Sequence, residues 1–91
     1  MYKIEATGRF KKDLKKVKKR NLNLNLIKSA ISTLEKKGTL PLNYRPHLLK
    51  GDYKGYYECH IQPDWLMIWE KNDSLKLITL IRTGTHSDLF N

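Results

Sequence analysis

Apolar positions along the chain change period as the elements change. Tyr2 to Ala6 alternates, with Tyr2, Ile4 and Ala6 on one side and Lys3 and Glu5 on the other, as in a short strand. Thr7 then stands as an N-cap, and Phe10, Leu14 and Val17 at i, i+4 and i+7 draw one apolar stripe along a helix from Gly8 to Arg20. So narrow a stripe does not hold a helix in water, so this one must lie on another element. After a polar break at Asn21, Asn23 and Asn25, a second helix runs from about Asn25 to Lys37. Leu26, Ile27, Ala30, Ile31 and Leu34 form its buried face, and Gly38 is placed to end it.

Beyond Gly38 the period falls to two. Thr39 to His47 holds Pro41 and Pro46 and reads as extended and irregular. Leu48 to Lys50 and a Gly51-Asp52 turn lead into Gly55 to Gln62, with Tyr57, Cys59 and Ile61 on one face and Tyr56, Glu58 and His60 on the other. A Pro63-Asp64 turn, a strand from Trp65 to Lys71, a turn at Asn72-Asp73-Ser74 and a last strand from Leu75 to Ile81 complete an antiparallel meander. The expected architecture is α+β. One domain spans residues 1–91, with two N-terminal helices packed on a small antiparallel sheet.

Charge adds a second division. Residues 1 to 37 carry 12 Lys and Arg against three acids, so the whole net charge of +9 sits on the N-terminal third. Lys11, Lys15 and Lys18 lie off the apolar stripe of the first helix and are candidates for gripping a polyanion. The single cysteine, Cys59, forms no internal disulfide and fits a reducing compartment. No apolar run is long enough to span a membrane, and the first ten residues show no secretory pattern, so a cytoplasmic location is expected.

The meander has a chemical consequence. Its strand directions bring His60 and Asp64 at one turn to the same edge as Arg82 and the tail that holds His86 and Phe90. Trp65 begins the strand beside them, and His47 stands in the proline loop. Two imidazoles, a carboxylate, a guanidinium and aromatic rings on one edge suit cleavage of RNA by its own 2′-OH. Histidine moves protons near neutral pH, Arg82 offers a permanent charge, and Trp65 or Phe90 offers a face for a base. Successive histidines lie 13 and 26 residues apart, which matches no local metal-ligand motif, so no metal or other cofactor is expected. The charge block alone would also suit a non-catalytic protein that binds RNA or the ribosome and blocks translation.

His47-x-Leu49-x-Gly51, Glu58-Cys59-His60-x-x-Pro63-Asp64-Trp65 and Arg82-Thr83-Gly84-Thr85-His86-x-x-Leu89-Phe90 occur in this order and spacing. Over residues 39 to 90 the chain resembles the YafQ branch of the RelE-like bacterial toxins. The resemblance implies a RelE-like microbial RNase fold and a toxin that enters the ribosomal A site and cuts translated mRNA without a metal ion. It also implies a cognate antitoxin as partner, with mRNA and ribosomal RNA as the others. Functional positions carried over are His47, His60, Asp64, Arg82, His86 and Phe90, with Trp65 adjoining. Glu58 stands where relatives often carry aspartate. The assignment of base and acid is open; the reading adopted has His86 as acid and His60 with Asp64 on the base side.

Overall fold

The structure is a computed structural model and describes residues 1–90. Strand β1 (Lys3–Ala6) is followed by helices α1 (Gly8–Lys19) and α2 (Leu24–Lys37). Strands β2 (His47–Leu48), β3 (Tyr57–Gln62), β4 (Trp65–Asn72) and β5 (Leu77–Gly84) then lead to the short helix α3 (His86–Phe90). Each helix starts and stops where its caps dictate. Thr7 accepts from the Phe10 amide at 3.0 Å, and Asn23 accepts from the Asn25 amide at 2.9 Å. Gly38 ends α2 with a left-handed φ of +72°, and its amide donates to the Leu34 carbonyl at 2.8 Å.

The sheet has five strands in the order β1-β5-β4-β3-β2. The antiparallel meander expected of β3, β4 and β5 is present, and the sequence reading fell short at both edges. β1 joins β5 in parallel, from Lys3 opposite Leu77 to Ala6 opposite Leu80. His47 and Leu48 leave the proline loop to pair with Glu58 and Tyr57. The last strand begins at Leu77 and not at Leu75. Asn72 Oδ1 takes the Leu75 amide at 3.0 Å, and Lys76 turns with a φ of +52°, so the turn consumes two residues of the apolar run.

β4 is buried on both faces from Trp65 to Trp69, because both faces of the sheet are covered. Cys59, Trp65, Met67, Trp69, Ile78 and Leu80 form the main core with Phe10, Val17, Ile27, Ala30 and Leu34 of the two long helices. Burial pushes the Cys59 thiol up to about 12, which leaves it inert. Leu66 and Ile68 face the other way, under Leu89 of α3 and the side chains of Leu49, Tyr53, Tyr56 and Ile81. This second cluster ties α3 to the loop after β2.

Gly38 supports the main core as well as ending α2. A Cβ there would lie 2.4 Å from the Tyr2 ring, on a backbone at positive φ. Gly38→Ala should therefore lower stability by about 2–4 kcal/mol, read as a lower urea midpoint at unchanged slope.

Candidate active site

Strand directions deliver the expected edge. β3 ends beside the Pro63-Asp64 turn, β5 returns to that edge, and α3 starts there at His86. Ring centroids of His47 and His60 are 6.5 Å apart, those of His60 and His86 6.0 Å, and those of His86 and Phe90 6.5 Å. Four rings thus form a continuous row. Depressions flank it: one of about 260 Å³ borders His60 with Asn43, Arg45 and Gln62, and one of about 350 Å³ borders Phe90 with Lys50, Asp52 and Tyr53.

His86 and His60 are each held at Nδ1. Asp64 Oδ1 accepts from the His86 backbone amide at 3.0 Å and lies 2.6 Å from His86 Nδ1. A carboxylate oxygen accepts, so Nδ1 carries the proton and Nε2 is left for chemistry. These two bonds, the backbone one first, hold the Asp64 carboxyl below its ordinary value. His60 Nδ1 lies 3.3 Å from the Pro63 carbonyl, which can only accept, so the neutral ring has its lone pair on Nε2. The pairing of Asp64 with His60 is thereby corrected: the carboxylate reaches across the edge to α3, while His60 folds back on the turn's own carbonyl.

His47 is held at both nitrogens, Nδ1 by the Arg45 carbonyl at 2.8 Å and Nε2 by Glu58 Oε1 at 3.2 Å. One proton must lie between Nε2 and Oε1 for that contact to be a hydrogen bond. Glu58, to which the sequence assigned no role, is 5% exposed, and its Oε2 has no hydrogen-bond partner among the described residues.

Two of the sequence-named residues behave differently from expectation. Trp65 is not a platform for a base: it is 1% exposed, and its Nε1 donates to Thr83 Oγ1 at 2.9 Å, which in turn donates to the Leu66 carbonyl at 2.6 Å. As the first residue of β4 it takes the face under the helices, as Met67 and Trp69 do two and four residues later. Arg82 is not a free cation. Its Nε donates to Asp13 Oδ2 at 2.7 Å and its Nη2 to Asp13 Oδ1 at 3.3 Å, and Nη2 also reaches the Asp88 carbonyl at 3.4 Å. The signal for this was Asp13 itself, an acid buried between Phe10 and Val17 on a lysine-covered helix. Lys11, Lys15 and Lys18 are exposed on α1, and Phe90 is 47% exposed, edge-on to Tyr53 at 5.7 Å.

α3 starts with a reciprocal cap. Thr85 Oγ1 accepts from the Asp88 amide at 3.1 Å, and Asp88 Oδ2 accepts from the Thr85 amide at 2.9 Å. Arg20 grips the same carboxylate, and its hydrogen bond is the first cause holding Asp88 well below the ordinary carboxylate range. Among the described residues no group of three or more His, Cys, Asp or Glu is arranged to hold a metal ion.

The family description "Bacterial toxin of type II toxin-antitoxin system, YafQ" matches residues 2–91. The chain belongs to the YafQ family. The mRNA interferase toxin YafQ of Escherichia coli (strain K12) is 43% identical over 89 residues, covering 96% of this chain and 94% of the relative. The crystal structure of the E. coli DinJ-YafQ complex contains a chain that matches with a TM-score of 0.90 at 38% identity, over 100% of both chains. A metal-bound toxin from Helicobacter pylori matches with a TM-score of 0.89 at 36% identity, over 99% of this chain and 100% of that one. The α+β fold of the RelE-like toxins is thus the fold of this YafQ-family chain. No helix among its described residues is long and apolar enough to cross a membrane.

Burial makes Trp65 a stability residue. Trp65→Ala should cost about 3–5 kcal/mol of folding free energy, measured by urea unfolding, before any effect on RNA is considered. The two acids that fasten α3 set a pH limit. Asp64 and Asp88 have folded values below their unfolded ones near 3.9, so each stabilises the docked helix above that pH. The contribution is lost as pH falls through the folded values. Amide protection factors at His86 and Leu89 should therefore fall as pH drops below about 4, before those of β4 do.

Proposed function

We propose that this YafQ-family toxin is an mRNA interferase, an endoribonuclease in which the RNA's own 2′-OH attacks the adjacent phosphorus. One observation carries the proposal: His60 and His86, each tied down at Nδ1, stand with ring centroids 6.0 Å apart. At that ring separation one phosphodiester can be reached by both imidazoles. In the reaction a base takes the 2′-OH proton as the new O–P bond forms. An acid then returns a proton to the 5′ oxygen as its bond to phosphorus breaks. The products are a 2′,3′-cyclic phosphate and a 5′-hydroxyl.

His86 is the acid and His60 the base. The Asp64 carboxylate is a counterion for a protonated His86 ring, which suits the acid, whereas the neutral His60 ring keeps its Nε2 lone pair for the 2′-OH proton. His47, engaged at both ring nitrogens, closes the far end of the row and acts by positioning the RNA beside His60. Arg82 supplies permanent positive charge under α3, partly offset by Asp13, so anchoring is its first role and charge stabilisation its second. Phe90 takes a base on its exposed face, a contact worth about 1–3 kcal/mol. Lys11, Lys15 and Lys18 grip phosphates of ribosomal RNA around the A site, where the mRNA is presented. A cognate antitoxin, as DinJ is found with E. coli YafQ, covers the toxin when it is silent.

The +9 charge of the N-terminal third favours one other reading, a non-catalytic block of the ribosome. Cleavage of ribosome-bound mRNA separates the two. His86→Ala should cut about 10²–10⁴-fold more slowly while still binding the ribosome. Wild-type products should carry 2′,3′-cyclic phosphate and 5′-hydroxyl ends. Ends bearing a 5′-phosphate would overturn the mechanism in favour of an activated water, the metal-assisted route that the metal-bound H. pylori toxin makes worth testing. A His86→Ala protein that stops translation as well as the wild type would establish the non-catalytic reading.

A further inference from the structure

α3 is five residues long, yet it carries both His86 and Phe90. Part of what fixes it lies away from the histidine row. Arg20, the residue that closes α1, donates from Nη1 to Asp88 Oδ2 at 2.5 Å and from Nη2 to Asp88 Oδ1 at 3.0 Å. The Oδ2 atom also closes the cap on the Thr85 amide, so one carboxylate joins the end of α1 to the start of α3. Gly84 makes the room, since a Cβ there would lie 2.7 Å from Asp88 Oδ2 and 2.9 Å from Asp88 Cβ. On the other side of the helix His86 is held only by Asp64, whose side chain is 67% exposed in an open turn. Leu89 packing and the Arg82 contact hold the later half of the helix, so the direction of its first turn depends on Asp64 and Asp88.

We propose that Arg20 is a positioning residue for RNA cleavage. Through Asp88 it fixes the angle at which α3 presents His86 to His60 and Phe90 to a base. The inference rests on the nuclease reading above. A guanidinium fork fixes direction as well as distance, which a lysine at the same place does not. Arg20 therefore stands apart from the lysines of α1: it is committed to an acid and acts on the reaction through α3.

The test uses the full-length toxin as wild type, Arg20→Ala, Arg20→Lys, Asp88→Ala and the double Arg20→Ala/Asp88→Ala. Single-turnover cleavage of mRNA on programmed ribosomes gives a maximal rate and a half-saturating toxin concentration. Arg20→Ala should lower the maximal rate about tenfold with the half-saturating concentration held, because misplacement of a catalytic group by ~1 Å costs up to about 100-fold. Arg20→Lys should recover part of the rate, and the double variant should be no slower than Asp88→Ala, since both changes break one link. In free toxin, NMR should show the His86 ring signals displaced and the His60–His86 contact weakened in Arg20→Ala, with the Trp65 and Trp69 indole signals unmoved. Unchanged His86 signals would overturn the proposal whether or not RNA is cut. So would an increase confined to the half-saturating concentration, or losses that multiply in the double variant, either of which makes Arg20 a phosphate contact. Displaced His86 signals with no cleavage even by the wild type would support the positioning and sink the nuclease reading instead.

Discussion

The carboxylate of Asp13 holds the two halves of the molecule together. It sits on α1, 4% exposed, and takes hydrogen bonds from Arg82 Nε and Nη2 and from the Thr83 amide at 3.1 Å. Thr83 in turn carries the Trp65 indole and the Leu66 carbonyl. One buried acid therefore fixes the end of β5 against α1 and, through Thr83, the start of β4. Removing either partner of such a pair leaves a buried charge without its counterion, which is far more costly than the pair is stabilising. The edge that presents the histidines takes its position from this junction.

The sheet's second cover matters as much for the site. Had its outer face been open to water, β4 would alternate, and Leu66 and Ile68 would be polar. Instead Leu89 packs there with Tyr53 and Leu49, which brings α3 and the loop after β2 over the same strands. Tyr53 touches the Phe90 ring edge-on, and its hydroxyl lies 3.5 Å from the Leu89 carbonyl. Packing that completes the core thus also sets the distal end of the ring row. Stability and site geometry are not separable at this face.

Periodicity made the two long helices, the three meander strands and their turns readable, because each presents one continuous apolar face and ends on a cap or a turn residue. The parallel pairing of β1 was not readable, since alternation shows that a strand exists but not which neighbour it joins. Trp65 was misjudged because an aromatic beside a catalytic motif reads the same whether its ring faces core or solvent; the shared face with Trp69 was the clue. Asp13 and Asp88 were overlooked for a related reason. Each is an acid in a stretch where local pattern assigns solvent, and its partner lies roughly 70 residues away in the chain. The Thr85-His86-Ser87-Asp88 spacing did announce a cap, and with it a third helix that the tail reading missed. The histidine edge itself followed from strand direction alone, which is why it was correct while the carboxylate's choice of imidazole was not.

The parallel pair of β1 and β5 has a bearing on how such a protein is made. Lys3 lies opposite Leu77, and the Thr7 hydroxyl reaches the Ile81 carbonyl, 74 positions on. Neither contact can form until nearly the whole polypeptide has been synthesised, and closing so long a loop is an entropic cost met late in folding. Arg20, Tyr53, Asp64 and Leu66, on which α3 leans, all precede it in the chain, so the helix that carries His86 docks onto elements made before it.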